Sequence, residues 1–189
     1  MTLIMASYLN NLLSSENRHD PAALLGRMNR AVKQALGQFE GAVHDDDHNS
    51  DDGMDAAFVW VDSASHVLTY AGAKTPLFYL PQAAEAVQVL DGERKGVGYV
   101  DTPTDYVWSN RTLALQPGTA IYVTTDGIID QIGATKRMAF GKRRLQQAIL
   151  DARALPMAAQ QPAILKTYLE HQGSESRRDD VSMFAFRYQ

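Results

Sequence analysis

Apolar residues in the N-terminal part of the chain recur close to the helical period of about 3.6 residues. A first stripe predicts a helix from about Thr2 to Ser15, and its members are Ile4, Tyr8 and Leu12, flanked by Met5, Leu9 and Leu13. Asp20 and Pro21 then mark a new helix start, because an aspartate can accept the first N–H groups and a proline has no N–H to leave unpaired. The apolar face of this second helix consists of Leu24, Met28, Val32, Leu36 and Phe39.

From Met54 onward the pattern changes to short runs rich in β-branched and aromatic residues, separated by Ser, Gly, Pro and Asp. Such runs are typical of β-strands, and Pro117-Gly118 is typical of the turns between them. The predicted strands are Ala57–Val61, Val67–Ala71, Leu77–Leu80, Val87–Leu90, Tyr106–Trp108, Leu113–Leu115 and Ala120–Thr125.

Helical spacing returns in the C-terminal part, where we expect a short helix over Ile128–Gln131 and two longer ones. Their apolar positions are Leu145, Ala148 and Ile149 in one, and Ile164, Leu165, Tyr168 and Leu169 in the other. Pro162 should start or kink the last helix, and Val181–Arg187 should form a final strand. Helices, then antiparallel strands, then helices and a strand predict an α+β protein with helices packed on sheet. No repeat or linker interrupts residues 1–189, so a single domain is expected.

Composition excludes several classes of function. The chain has 189 residues, a formal net charge of −4 and no cysteine. An acidic chain argues against nucleic-acid binding, and the lack of cysteine excludes disulfides, thiolate metal sites and cysteine catalysis. No apolar run approaches the roughly 18 residues of a membrane span, so no direct membrane contact is expected. A cytoplasmic location fits these features, although a longer parent protein could be attached to a membrane sensor.

The segment Tyr122–Gly127 is an apolar strand that ends in Asp-Gly. A carboxylate at the end of a strand is held rigidly at a rim, which suits a hard cation, and Gly127 lets the backbone turn sharply. The alternative is that Asp126 caps the short helix that follows. The spacing alone favours this capping role over metal binding.

A second polar segment, Ser176–Ser182, enters the final strand and contains the adjacent carboxylates Asp179 and Asp180. Adjacent carboxylates repel each other, and a divalent cation would offset that repulsion. The alternative is a solvated turn in which these carboxylates pair with Arg177 or Arg178. Taken by itself, this segment favours the solvated turn.

The order of these segments along the chain resembles the type 2C, metal-dependent protein phosphatases, in their bacterial stage II sporulation protein E branch. The resemblance covers nearly the whole chain, from Met1 to Tyr188. It rests on Tyr122–Asp130, Phe140–Leu145 and Arg178–Ser182, together with Asp51–Ala57, Leu68–Ala73 with Pro76-Leu77, and Gly96–Tyr99.

The resemblance implies a β-sandwich flanked by helices, with two Mn²⁺ or Mg²⁺ ions in a cleft at its rim. In this family the ions activate a water that attacks phosphoserine or phosphothreonine. By motif match, Asp126 and Asp179 would be metal ligands, and Asp180 is a third candidate because the match does not separate the pair. Further candidates for the cleft are Gly127, Asp51, Asp52 and Arg178.

One expected motif does not occur in this sequence. The family pattern includes an earlier Gly-Asp…Gly-His-Gly…Gly-Ala segment, whose Asp bridges both metals, immediately before a helix resembling Met1–Leu13. We therefore expect the domain to be incomplete at its N-terminus and to lack its first strand or strands. Since Mg²⁺ and Mn²⁺ want about six oxygen ligands, we expect weak metal binding and little activity. The missing strands should also leave an exposed sheet edge that could favour a homodimer.

Another acidic run could bind a divalent ion by itself, although its spacing does not match a calcium loop and a solvated loop is the commoner structure for such a run. It contains His44, Asp45, Asp46, Asp47, His48, Asp51 and Asp52.

Two functions remain open at this point. In the first, the chain dephosphorylates a small regulatory protein similar to the anti-sigma-factor antagonists, as the output module of a signalling protein in a partner-switching pathway. In the second, it keeps the phosphatase-like fold but acts as a non-catalytic interaction module.

Overall fold

The computed structural model describes residues 8–9, 14, 18–38 and 51–189. These form two compact units, each made of separate stretches of chain: Met1–Thr75 with Asp91–Ala114, and Pro76–Leu90 with Leu115–Gln189. The helix predicted over Thr2–Ser15 lies outside the described residues, apart from Tyr8, Leu9 and Ser14. In the described part of the chain, every helix is too short or too polar to cross a lipid bilayer.

The first unit contains helix α1 and a three-stranded antiparallel sheet. Helix α1 spans Pro21–Leu36, and the strands are β1 (Ala56–Asp62), β2 (Val67–Ala73) and β5 (Arg111–Ala114). The sheet order is β1-β2-β5, with β2 in the centre. A bridge between Met54 and Val97 also joins the segment before β1 to a segment that lies between β2 and β5 in sequence.

Helix α1 begins where its sequence predicts, and Phe39, the last residue of its predicted apolar face, lies outside the described residues. The Asp20 carboxylate accepts a hydrogen bond from the Ala23 backbone N–H at 3.1 Å, and Pro21 occupies the first turn. Gly37 ends the helix in a left-handed conformation that glycine adopts without strain. The apolar face packs into a core with β2 residues and a tryptophan, and the members of this core are Leu24, Leu25, Met28, Val32, Ala71, Ala73, Val97 and Trp108.

The second unit contains a four-stranded antiparallel sheet and three helices. Its strands are β3 (Leu77–Leu80), β4 (Gln88–Leu90), β6 (Ala120–Thr124) and β7 (Met183–Arg187), in the order β4-β3-β6-β7. The helices are α2 (Asp126–Ile129), α3 (Gly141–Ala152) and α4 (Met157–Gln172).

Helices α3 and α4 pack with one face of this sheet in a single apolar core. Its buried members are Phe78, Leu80, Val87, Ala120, Tyr122, Ile128, Phe140, Leu145, Ala148, Ile149, Ala152, Ile164 and Tyr168. On β6 the buried members of this core are alternate residues, as expected where one sheet face meets helices. The α+β class with antiparallel sheets is therefore confirmed.

Strand β7 lies at one edge of the four-stranded sheet. Its ladder with β6 continues through two backbone bonds, from Thr125 N to the Ser182 carbonyl at 3.1 Å and from Tyr188 N to the Thr119 carbonyl at 2.9 Å. Hydrogen-bonded and non-hydrogen-bonded positions alternate along an antiparallel strand pair. The even-numbered residues of β7 therefore bond to β6, and the odd-numbered ones direct their backbone groups to the side away from β6. Phe184 is 66% exposed on this edge strand.

The strand predicted over Tyr106–Trp108 is wrong. This segment forms no strand, yet Trp108 is buried and stacks edge-on with Tyr106 at 4.8 Å between ring centroids. Side-chain hydrogen bonds hold the segment, from Trp108 Nε1 to the Lys95 carbonyl and from the Tyr106 hydroxyl to Glu93. Aromatic residues that pack in this way form the same pattern in the sequence as the residues of a β-strand.

The expectation that Pro162 starts the last helix is also wrong, because α4 begins earlier, at Met157, and includes the proline. A kink at Pro162 stays a prediction. Buried Gln160 fixes the turn before the proline, accepting a hydrogen bond from Tyr122 at 2.5 Å and donating one to the Leu155 carbonyl at 2.9 Å. These contacts hold the first turn in place although the proline supplies no N–H.

Candidate active site

Asp126 lies at the rim of the second unit, two residues after the end of β6. It is exposed and is the first residue of α2, while Thr125 occupies the N-cap position. The interpretation of Asp126 as the helix cap is therefore wrong, and so is the predicted helix range of Ile128–Gln131. The Asp126 backbone carbonyl accepts the Asp130 N–H at 2.8 Å, which closes the helical turn.

Gly127 allows the segment after β6 to approach the segment before β7. A Cβ atom at this position would lie 2.4 Å from the Asp180 carbonyl oxygen and 3.2 Å from the Asp179 carbonyl carbon. Only glycine fits so close to another backbone without a shift. The two motifs that carry the carboxylates, far apart in sequence, therefore meet at one rim.

The hydroxyl of Thr125 ties the same two segments together. It donates a hydrogen bond to the Asp180 carbonyl at 2.8 Å and accepts one from the Ser182 backbone N–H at 3.0 Å. With the backbone bond from Thr125 N to Ser182, these contacts extend the β6–β7 pairing to the positions next to Asp126.

The loop before β7 holds Asp179 and Asp180 exposed. One Asp179 carboxylate oxygen accepts the Asp180 backbone N–H at 2.7 Å, which orients that side chain. Among the described residues, neither aspartate forms an ion pair with Arg177 or Arg178. The Asp–Arg pairing that the solvated-turn alternative expected is therefore wrong, whereas the exposure of both aspartates agrees with a solvated turn.

Gln131 is a buried residue of this site that the sequence did not single out. Its side chain contacts the loop before β7, accepting a hydrogen bond from the Arg178 backbone N–H at 3.3 Å and donating one to the Ser176 carbonyl at 3.0 Å. The contacts span 45 and 47 residues in sequence. A lone glutamine has no periodic signal that could have revealed them.

Asp51 and Asp52 belong to the first unit. Asp51 accepts the Val100 backbone N–H at 2.8 Å, and backbone bonds of 2.8 Å join Met54 to Val97 in both directions. The family-like segments Asp51–Ala57 and Gly96–Tyr99 are thus neighbours within this unit. The rest of the acidic run, from His44 to His48, lies outside the described residues.

The ring of Tyr99 explains why two glycines occur in those segments. A Cβ atom on Gly53 or Gly96 would lie 2.4 Å from a ring atom of Tyr99. The ammonium group of Lys74 covers the same ring at 4.1 Å from its centroid, within the range of cation–π attraction. This part of the first unit is therefore closely packed, and Asp51 has a structural role in it.

The donors at the rim of the second unit fit a hard divalent cation by chemical type, because they are carboxylates. Their number is small, since the described residues contain no group of three or more His, Cys, Asp or Glu side chains placed to hold an ion. By motif match, Asp126 and one of the adjacent pair Asp179 and Asp180 would hold one. An ion bound to them would supply an activated water and neutralise phosphoryl charge.

Solved structures with the same fold define the class of protein. The chain is similar to the SiaA-PP2C domain of Pseudomonas aeruginosa, with a TM-score of 0.82 and 31% sequence identity over 100% of this chain and 69% of that one. It also matches the Mn-presoaked phosphatase domain of SpoIIE from Bacillus subtilis, with a TM-score of 0.56 and 12% identity over 97% of this chain and 73% of that one. A third match is RsbX in complex with magnesium, with a TM-score of 0.56 and 12% identity over 96% of this chain and 71% of that one. The latter two likenesses show the fold alone, and together the matches define a PP2C-type phosphatase domain.

The family follows from the sequence itself. Residues 1–189 match the family Stage II sporulation protein E (SpoIIE), and the chain belongs to this family. A comparison with curated proteins found no match.

Proposed function

We propose that this chain is a metal-dependent serine/threonine phosphatase module that acts on a small cytoplasmic phosphoprotein of the anti-sigma-factor-antagonist kind. One observation supports the proposal: Gly127 allows the turn that begins at Asp126 to lie directly against the backbone of Asp179 and Asp180. In a protein of this family, such an approach serves to bring carboxylates from two distant segments to one rim. The substrate class follows from the family resemblance.

In this proposal Asp126 and Asp179 hold Mn²⁺ or Mg²⁺. Asp180 is the alternative ligand of its segment, and it shares the turn with Asp179. Arg178 is exposed on the same loop, where its guanidinium can attract the phosphate of the substrate. Gly127 contributes by letting the Asp126 turn approach the backbone of Asp180.

We further propose that the chain by itself binds these ions weakly and turns over little substrate. The rim offers fewer carboxylates than the roughly six oxygen ligands that Mg²⁺ and Mn²⁺ prefer. Water would then fill most of the coordination shell, and the ions would exchange readily.

A Mn²⁺ titration that is monitored by electron paramagnetic resonance tests the assigned metal ligands. Asp126→Asn and Asp179→Asn should each weaken Mn²⁺ binding about tenfold, whereas Asp130→Asn, a neighbouring exposed carboxylate, should not change it. Asp180→Asn decides between the two adjacent aspartates. Equal affinities in all four variants and the parent chain would refute the assignment.

Phosphatase assays with a phosphoserine peptide and Mn²⁺ test the activity directly. We expect slow turnover that falls further in Asp126→Asn. Turnover in the range of about 1–1000 per second that is usual for enzymes would contradict the proposed weakness.

The second candidate function is a non-catalytic interaction module. It is favoured by the small number of carboxylates grouped at the described rim. Such a module would bind the phosphoprotein with an affinity that is insensitive to Mn²⁺ and to Asp126→Asn, and it would release no phosphate.

We also propose a homodimer through the open edge of β7. If two copies pair antiparallel about Ala185, the outward backbone groups of Met183 meet those of Arg187 in the partner, and about six hydrogen bonds form. Phe184 then lies opposite Phe186 of the other copy, a favourable aromatic pair. Sedimentation velocity should show a dimer that Phe184→Glu dissociates and that Val107→Glu, at an 81% exposed position of the first unit, preserves. A monomeric parent chain would refute this association.

A further inference from the structure

We propose that Gln131 is a positioning residue: its buried side-chain amide fixes the loop that carries Asp179 and Asp180 to the segment that carries Asp126. This inference rests on the proposed function of that rim. Gln131 itself touches neither the proposed ion nor the substrate, so it would act through the loop.

The amide oxygen of Gln131 joins the loop to helix α4. It accepts hydrogen bonds from the Arg178 backbone N–H at 3.3 Å and from the Tyr168 hydroxyl at 3.1 Å. Tyr168 is 1% exposed and stacks edge-on against Phe140, so it is a rigid anchor. The residue next to Asp179 is therefore linked, through one oxygen atom, to the core of the unit.

The amide nitrogen of Gln131 completes the link. It donates hydrogen bonds to the Ser176 carbonyl at 3.0 Å and to the Ile132 carbonyl at 2.9 Å. The Gln131 backbone is fixed as well, because its carbonyl accepts the Phe140 N–H at 2.8 Å. Two points of the loop, Ser176 and Arg178, are thus held by a single side chain that is 0% exposed.

The chemistry of the site requires an amide. The Arg178 N–H and the Tyr168 hydroxyl need an acceptor, whereas the Ser176 carbonyl needs a donor. A glutamine presents both within one planar group, a glutamate presents only acceptors, and a methionine presents neither strong donor nor strong acceptor. Without Gln131, the loop would lose its link to the interior and its carboxylates would sample more positions.

The chain offers a matched control in Gln160, a second buried glutamine of the same unit. It is 1% exposed and bonds to Tyr122, Leu155 and Arg153, with no contact to the loop before β7 among the bonds described. Gln131→Met and Gln160→Met make the same chemical change at equal burial. Both should lower the stability of the unit, and only the first should release the loop.

Amide hydrogen exchange of the metal-free chain is the primary measurement. Relative to Gln160→Met, Gln131→Met should speed exchange at Arg178 and Asp180 by about tenfold or more. Gln131→Glu removes the donor and places a carboxylate oxygen against the Ser176 carbonyl, so it should also speed exchange at Arg178 relative to Gln160→Met. This variant also serves as the second test if Gln131→Met does not fold. Exchange of the loop in Gln131→Met, or in Gln131→Glu, that equals its exchange in Gln160→Met would overturn the inference.

Mn²⁺ titration of the same variants separates this inference from the proposed function. Gln131→Met should weaken Mn²⁺ binding several-fold, and Gln160→Met should leave it unchanged. If Asp126→Asn and Asp179→Asn do not affect Mn²⁺ binding while the exchange results are as expected, the proposed metal site fails and the positioning of the loop stands. If those two aspartate variants do weaken binding but Gln131→Met exchanges like Gln160→Met, the positioning role fails alone.

Discussion

Gly127 lies so close to Asp180 that a Cβ atom on the glycine would stand 2.4 Å from the aspartate's carbonyl oxygen. Gly127 is buried, and the atoms it would meet belong to backbone that cannot easily move. The approach of these two residues therefore sets the separation of the carboxylate segments at the rim of the second unit.

Gly127→Ala should lower the free energy of unfolding by about 1–3 kcal/mol, because the added methyl group forces the two backbones apart. Urea unfolding measures this loss. Gly26→Ala is the control, since a Cβ atom at that helical position meets nothing closer than 3.9 Å. We expect it to be neutral or to stabilise by up to about 1 kcal/mol through helix propensity. A Gly127→Ala chain as stable as the parent would contradict the close approach.

Thr125 and Thr124 offer a neighbouring pair for a second test. Thr125→Val should lower the free energy of unfolding by about 1 kcal/mol, because it removes the bonds to Asp180 and Ser182. The buried Thr124 hydroxyl has no hydrogen-bond partner among the described residues, so Thr124→Val should be neutral or stabilising. Urea unfolding of the two variants compares them directly. The opposite ranking would mean that the Thr125 bonds contribute nothing in solution.

The ionisation of Tyr106 should make the stability of the protein change with pH in alkaline solution. The hydrogen bond to the Glu93 carboxylate, with smaller effects of burial and of the Glu93 charge, raises the pKa of Tyr106 from 10.0 to about 12. The unfolded chain therefore loses this proton first, and the stabilisation, complete below pH 10, is lost as pH rises from about 10 to about 12. Tyr106→Phe should show a shallower fall over this range in urea unfolding. Identical slopes of stability against pH in Tyr106→Phe and in the parent chain would exclude the raised pKa of Tyr106.

The ionisation of Asp20 should likewise make the stability of the protein change with pH in acid solution. The Asn110 side chain, followed by the Ala23 backbone N–H, lowers the pKa of Asp20 below 3.8. The folded state then favours the carboxylate, so its contribution is present above pH 3.8 and is lost as pH falls through the lower folded pKa. Asp20→Ala should cost about 1 kcal/mol at neutral pH, as loss of a helix cap usually does. Exposed Asp105 supplies the control substitution, Asp105→Ala, which should change stability little. A difference between these variants that persists unchanged at low pH would refute the ionic part of the effect.

Local patterns in the sequence predict most of the fold. The strand Leu77–Leu80 has its predicted bounds, and the capped start of α1 at Asp20-Pro21 is also confirmed. These features depend on residues next to one another, whose periodicity and turn chemistry act locally. The segment Tyr106–Trp108 fails for the converse reason: its aromatic residues are held by distant partners rather than by a strand.

In the candidate site, too, one part of the arrangement could be predicted from the sequence and another part could not. The motifs predict that Asp126 and Asp179 share a rim, and the structure brings their segments together at Gly127. Whether these aspartates hold an ion stays a prediction. The sequence did not reveal Gln131, because its partners at Ser176 and Arg178 become neighbours only in the folded unit.

The interleaving of the two units has a consequence for protein synthesis. The chain leaves the first unit at Thr75, returns at Asp91 and leaves again after Ala114. On the ribosome, β3 and β4 therefore emerge before the first unit has all its strands, and they must wait for β6 to complete their own sheet. Folding during translation usually proceeds from the N-terminus in whole units. Here neither unit can close early, and the rim between Asp126 and Asp180 can form only after α3 and α4 have been made.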